Sequence, residues 1–479
     1  MLNSDHRVPT AKNDPEGPVF PFEIFELIIK LWLRGRYSKL NISSLCLVSK
    51  SFAKICRPHM FNSVQIYMYK DLNRTKDLAA VINNNPTLAT YIHKLEFHER
   101  NQREACQPIG ADQDGSLDPF LNLPNLQQLK VNGRGGKTYG AMGASLFSFQ
   151  RVLDQYMASS TLISLDIHSI SRLPILEIMG CPNLENLTLY SCDLQSWDQP
   201  VHSDVLQRGF KLKSISISSM RHVTLSLLAY CPNLQSIHFG KMGGPDEERQ
   251  LEDQFPINAM PLKTFKNVTS IESWGPVDWT NFCHLASSAG VKAFPALRRL
   301  RLVLFGPTDI MRSSHLLEHI KSLQQLSIQG RGYLDPLRLD LKQFLALSTN
   351  TLTNITILWD LNLRTGQDQN LLKILCDALT DISHRNVLRR LSLRLEITAR
   401  QALPMDFVQW KRLDSLLTGS NGNAFPNLVY VEIRLRFNDV IDGISGSMNS
   451  KGEYKTLFEH SLNGLLTHDS IRVIFDLDT

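Results

Sequence analysis

Apolar positions along most of this chain fall into one recurring pattern, L-x-x-L-x-L with polar residues between. Leu184, Leu187 and Leu189 alternate with Asn186, Thr188 and Tyr190; Leu212, Ile215 and Ile217 alternate with Ser214, Ser216 and Ser218. Leu323, Leu326 and Ile328 likewise alternate with Gln325, Ser327 and Gln329. Such alternation predicts strands with one buried face. They are expected to begin near Ile92, Leu126, Leu162, Leu184, Leu212, Leu234, Leu262, Leu297, Leu323, Leu352, Leu388 and Leu428. The Leu262 unit is the least regular. A Pro-Asn-Leu tripeptide leads into several of them, at Pro124-Asn125-Leu126, Pro182-Asn183-Leu184, Pro232-Asn233-Leu234 and Pro426-Asn427-Leu428, with Pro295-Ala296-Leu297 as a variant. Between strands there is room for a helix and a loop, with helical spacing at Ser148 to Met157, Leu225 to Ala229, His315 to Ile320 and Leu371 to Leu379. The expected fold is α/β, a solenoid of parallel strands on a concave face with helices outside. Polar insertions at Arg100 to Pro119, Gly240 to Pro261 and Phe437 to Tyr454 interrupt it.

The first part of the chain is patterned differently. Ile24, Leu27, Ile28 and Leu31 lie at i, i+3, i+4 and i+7, which places one apolar stripe on a helix. Pro21 and Glu23 suit its first turn and Gly35 its stop. Leu45, Val48, Phe52 and Ile55 repeat the spacing up to Pro58, where the second helix is expected to break. Val64-Gln65-Ile66-Tyr67 then reads as a first strand.

The stretch from Val19 to about Val64 resembles an F-box. Pro21, Glu23, Ile24, Leu47, Val48 and Lys50 match the family motif, while Phe20, Ser49 and Phe52 stand where Leu, Cys and Trp are commonest. With the repeats that follow, nearly the whole chain is similar to F-box proteins with leucine-rich repeats, in the style of the large fungal families. This implies a tail over 1–18, a helical F-box over 19–66 and a leucine-rich-repeat solenoid over 67–479. It also implies the role of substrate-recognition subunit in a Skp–cullin–F-box ubiquitin ligase. The F-box would dock on the Skp-type adaptor through Pro21, Ile24, Leu27, Ile28, Leu47, Val48 and Phe52, and so reach a cullin scaffold, while the repeats hold a protein substrate. No bond-making residue is expected in such a chain, nor any cofactor. The alternative is a leucine-rich-repeat interaction scaffold independent of ubiquitin ligases.

Composition narrows the partners. The 479 residues carry 51 Lys and Arg against 46 Asp and Glu, a net charge of +5 with no basic run, so a nucleic-acid partner is not expected. The first eighteen residues are polar and lack the apolar core of a signal peptide, and no stretch is long and apolar enough to span a bilayer. The 8 cysteines form no Cys-x-x-Cys pair, which argues for neither a disulfide framework nor a zinc finger. A location in the cytoplasm or nucleus is the expectation.

Two segments imitate catalytic motifs. Gly133-Arg134-Gly135-Gly136-Lys137-Thr138 ends like a phosphate-binding loop, but Val131 occupies the position of the first required glycine, and the segment reads as a glycine-rich repeat loop. His315-Leu316-Leu317-Glu318-His319 spells H-x-x-E-H, with Glu396 at a separation suited to a third zinc ligand. Leu316, Leu317 and Ile320 form the buried stripe of that helix, so the two histidines are expected to be solvated on its convex side.

Outward positions of the strands change character along the array. Early ones are mixed, with Lys94, Glu96, His98, Ser164, Asp166 and His168; later ones are basic, with Arg299, Arg301, Arg390, Arg394, Arg434 and Arg436. Guanidinium forks grip carboxylate or phosphate with paired hydrogen bonds, so these six arginines are the candidate contacts for an acidic or phosphorylated substrate segment. Glu432 is a candidate local partner for them.

Overall fold

The computed structural model describes residues 22–32, 44–68, 72–99, 115–140, 148–194, 210–220, 230–240, 265–275, 290–331, 341–346, 348–362, 370–398, 407–419, 424–438 and 450–478, with isolated positions 228, 277, 279 and 283. The chain divides into two compact units, Met1–Glu96 with Asp114–Leu126, and Phe97–Gln113 with Gln127–Thr479.

The first unit contains helix α1 (Phe22–Trp32), a short helical segment at 44–48, helix α2 (Lys50–Phe61), strand β1 (Ser63–Tyr67), helix α3 (Leu72–Asn84) and the start of strand β2 (Lys94–Glu99), and it resumes over Asp114–Leu126. Ser49 separates the two helical segments as the N-cap of α2, its Oγ accepting the Phe52 N–H at 3.2 Å. Pro58 does not end α2, which runs on to Phe61. A proline forfeits one bond to the carbonyl four residues back, and here Ile55 and Cys56 anchor the inner face firmly enough to offset that loss. The expected stop at Gly35 lies outside the described residues. Gln65 on β1 donates to the Glu96 carboxylate on β2 at 2.8 Å.

Among the described residues of the second unit, twelve strands lie side by side in chain order. They are β3 (Gln128–Thr138), β4 (Ser164–Ser171), β5 (Asn186–Tyr190), β6 (Ser214–Ser218), β7 (Ser236–Phe239) and β8 (Ser270–Trp274), then β9 (Arg299–Leu304), β10 (Gln325–Gly330), β11 (Asn354–Asn362), β12 (Arg390–Thr398), β13 (Tyr430–Asn438) and β14 (Arg472–Asp478). All neighbouring pairs are parallel. From β3 to β13 one row of each strand is buried, as with Leu187 and Leu189, Ile215 and Ile217, or Leu393 and Leu395, and most of the opposite row is more open. Each fully buried Leu or Ile contributes about 1.5–3 kcal/mol, so this repeated row is the core that holds the array. Helices cover the buried side: α4 (Phe149–Met157), α5 (Ile175–Met179), α6 (Pro307–Glu318), α7 (Leu341–Ala346), α8 (Asn370–Ile382), α9 (Phe407–Thr418), α10 (Ser450–Ser461) and α11 (Asn463–Leu466). The architecture is an α/β solenoid.

The Pro-Asn-Leu tripeptide has a structural purpose. Asn183 Nδ2 donates to the Ser160 carbonyl of the preceding repeat at 2.6 Å, and Asn125 does the same to Thr90 at 2.7 Å. Asn267 reaches Pro232 O at 2.8 Å in the same manner. That last contact marks where the irregular repeat is registered: β8 is entered through Asn267-Val268, while Leu262, expected to begin it, lies outside the described residues. Strand β14 was not anticipated. It lacks the tripeptide, and Ile474 interrupts its alternation by joining Val473 and Phe475 into a continuous apolar run.

The glycine-rich segment is also not a loop. It lies within β3, where the register to β4 shifts between Asn132 and Lys137. A Cβ on Gly133 would stand 2.8 Å from Ile170, so glycine there permits close strand approach. The expected helices at Ser148 to Met157, His315 to Ile320 and Leu371 to Leu379 correspond to α4, the end of α6 and α8, while most of Leu225 to Ala229 lies outside the described residues. Among the described residues no helix is long and apolar enough to cross a membrane.

Candidate functional site

Helices α1 and α2 close on a small core of Ile29, Ile55 and Cys56, with Phe25, Leu45, Cys46 and Phe52 packed against it. The Phe25 and Phe52 rings meet edge to face at 5.1 Å. Burial, with the Cys46 thiol beside it, pushes the Cys56 thiol up to about 11. The inner face of α1 is therefore the i, i+4 pair Phe25 and Ile29, and the stripe read from the sequence is a second, outer one. Ile24 is 39% exposed, Leu27 54%, Ile28 44% and Leu31 54%; on the following segment Leu47 is 88% and Val48 66% exposed. Five of the seven residues expected at an adaptor interface thus share an exposed apolar character. Phe52 differs, since its ring fills the pair's own core, and Pro21 lies outside the described residues.

On the open face of the second unit the six arginines separate into two groups. Strands β10 and β11 stand between β9 and β12, which puts about 14 Å between the groups at the usual strand spacing. They do not form one shared patch.

The first group surrounds Glu272 on β8. Its carboxylate takes Arg301 Nη1 at 3.0 Å, Trp274 Nε1 at 2.6 Å and His238 Nδ1 at 3.3 Å. Arg301 also lies over the Trp274 ring, 5.0 Å from its centroid, and Arg331 lies over the same ring at 5.6 Å. Arg299 is exposed at the start of β9.

The second group is built on Glu432, which is buried. It accepts from Ser392 Oγ at 2.8 Å and from Arg394 Nη2 at 3.1 Å, and it forms an ion pair with Arg434 Nε at 2.6 Å. Burial alone would raise its pKa, but the Ser392 hydrogen bond and the charges of Arg394 and Arg434 outweigh it and hold the carboxyl below the usual range. Arg394 and Arg434 are Cα partners across β12 and β13, about half exposed, and Arg390 lies 4.3 Å over the Tyr430 ring. Arg436, two residues beyond Arg434, pairs with no carboxylate among the described residues.

Nearer the start of the unit the open face is mixed, as expected: Asp166 pairs with Lys130 at 3.4 Å and with His168 at 2.7 Å. Trp274 and Glu272 were missed by sequence reasoning because the repeat was anchored on Leu262, while His238 and Arg331 belong to the neighbouring repeats of β7 and β10 and gain their role only from the register that brings them to β8. The alternation Ser270-Ile271-Glu272-Ser273-Trp274 would have revealed three strand positions including Glu272 and Trp274.

The H-x-x-E-H segment is split by the end of its helix. His315 is exposed, but His319 caps α6 and is buried, its Nδ1 receiving the Ala293 N–H at 3.4 Å. Burial, with Lys292 nearby, lowers the His319 pKa. The expectation of two solvated histidines is corrected for His319, because the chain turns directly into the Ile320 core position. Among the described residues no three His, Cys, Asp or Glu side chains converge as a metal site. On the helical side, α7, α8 and α9 enclose a groove of about 380 Å³, rimmed by the Lys342–Asp381 and Arg412–Asp377 ion pairs at 3.0 and 2.7 Å.

No family model matches the chain, and no curated protein does. Among solved structures it is similar to one described as the crystal structure of the Rad7 and Elc1 complex in yeast. The two are 13% identical over 95% of this chain and 98% of that one, with a TM-score of 0.34. At that score the likeness adds nothing to the fold already described.

Proposed function

We propose that this chain is the substrate receptor of a Skp–cullin–F-box type ubiquitin ligase, with the α1–α2 pair as its F-box and the solenoid as its substrate-holding part. The observation that supports this most strongly is the outer face of the pair. A helical pair that served only to cap the array would turn its large apolar side chains inward. Here the inward places are taken by Phe25, Ile29, Ile55 and Phe52, and Ile24, Leu27, Ile28, Leu31, Leu47 and Val48 remain in solvent. A row of large exposed apolar side chains such as that on α1 marks a protein interface. A Skp-type adaptor covering it would link the chain to a cullin scaffold. The receptor's contribution to ubiquitin transfer would be proximity, holding the substrate where a conjugating enzyme carried elsewhere in the assembly reaches its lysines.

The test is a pull-down of the Skp-type adaptor by the intact chain and by Ile24→Asp/Leu27→Asp. Both positions are exposed, so the variant is expected to keep the unfolding midpoint of the parent while adaptor binding falls by roughly tenfold or more. Failure of the intact chain to bind would leave a repeat scaffold that acts without the ligase.

A further inference from the structure

We infer that Arg394, Arg434 and the buried Glu432 form a preorganised clamp for a single carboxylate on a protein segment of mixed charge. This deepens the reading of the open face as the substrate-holding surface and names the chemistry it would take.

Two arginines at register-matched positions of neighbouring strands repel each other and, left in solvent, would sample many rotamers. Glu432 lies beneath both and prevents this. Its carboxylate holds one nitrogen of each guanidinium, Nη2 of Arg394 and Nε of Arg434, and is itself fixed by Ser392 Oγ. Among the described residues, Arg394 Nη1 and Nε and both terminal nitrogens of Arg434 donate no hydrogen bond to the protein. Those donors belong to side chains that are 44% and 47% exposed, whereas Glu432 is 7% exposed. One buried negative charge orients two positive ones, and the solvent side of the pair still lacks its anion. Paired N–H groups at a fixed spacing match the two oxygens of an oxyanion.

The flanking charges decide which oxyanion. Asp476 on β14 is the register partner of Arg434, and Glu396 stands two residues beyond Arg394 on the same face. Neither forms an ion pair with the clamp arginines among the described residues. A phosphate dianion would meet both carboxylates with twice the charge of a carboxylate ligand. A carboxylate followed by a lysine or arginine would instead satisfy the clamp with one group and Glu396 or Asp476 with the next. Arg436 and Arg390 flank the site and would favour a further acidic residue on either side. The ligand class is therefore an extended segment of alternating charge, rather than a uniformly acidic run or a phosphorylated one.

Three fluorescein-labelled Gly-Ser peptides test this against the full chain, one with a central Glu-Lys-Glu, one with Gln-Lys-Gln, and one with phosphoserine in place of the first glutamate. Anisotropy titrations are expected to show the Glu-Lys-Glu peptide binding roughly tenfold or more tighter than either other peptide. That advantage should vanish in Arg394→Gln/Arg434→Gln and persist in Arg299→Gln, which lies in the other arginine group. Tighter binding of the phosphopeptide, equal binding of the glutamine peptide, no binding by any of the three, or an unchanged double variant would each overturn the assignment. Adaptor pull-down by the double variant is measured in parallel. Retained adaptor binding with lost peptide binding isolates the clamp, and lost adaptor binding by the intact chain concerns the ligase reading alone.

Discussion

Glu432 ties stability to pH through the two arginines it holds. Its folded-state pKa is depressed, so its stabilisation is fully present above the unfolded value, near 4.5, and is lost as the pH falls through the lower folded value. Glu432→Gln is expected to cost about 1–3 kcal/mol near neutral pH, toward the lower end because both guanidiniums are half exposed. Thermal unfolding of parent and variant should show the gap narrowing below about pH 4. A gap that stays constant down to acid pH would mean that shape, and not charge, is what Glu432 supplies. At this scale the sequence was partly legible. Alternation placed Arg394, Glu432 and Arg434 on one face and nominated Glu432 as a partner. It could not tell which arginines would share it, since that depends on register between strands forty residues apart.

Packing between elements rests on a few close approaches that alternation does not disclose. Gly330 ends β10 opposite Trp359 on β11, and a Cβ there would stand 2.5 Å from the indole ring. Gly330→Ala is expected to destabilise by about 1–3 kcal/mol, and placing it in a Trp359→Leu background should recover most of that specific penalty. Additive losses in the double-mutant cycle would show that the clash is absorbed elsewhere. The Asn183 side chain is a second such contact; Asn183→Ala should lower stability by about 1 kcal/mol, as judged from urea midpoints. The recurring tripeptide was visible as a pattern, but the carbonyl its asparagine serves belongs to the previous repeat. The α1–α2 pair was misread in one respect for a similar reason. Its outer stripe was legible from spacing, while the inner pair Phe25 and Ile29 is equally apolar and only the fold distinguishes the two faces.

Over the whole molecule, contacts in the second unit join each strand chiefly to the one before and the one after, so local damage should spread along the array by neighbours. Hydrogen exchange on Gly330→Ala is expected to rise first in β9, β10 and β11 and to leave β4, β5 and β6 near parental protection. Simultaneous loss across all strands would instead indicate one cooperative block. The solenoid was legible from its apolar rows because they repeat many times. The two places where it was not, β8 and β14, are where the lead-in is degenerate or the alternation is interrupted.

From β4 to β14 the partner positions advance one for one, without a slip inside any strand. The distance between successive strand starts nevertheless ranges from 22 residues, Ser164 to Asn186, to 42, Tyr430 to Arg472. Adding or deleting one codon inside a strand would exchange its buried and open rows from that point on. Changes in gene length are therefore tolerable only in the connections, where they alter the reach of a loop and leave the order of side chains on the open face intact.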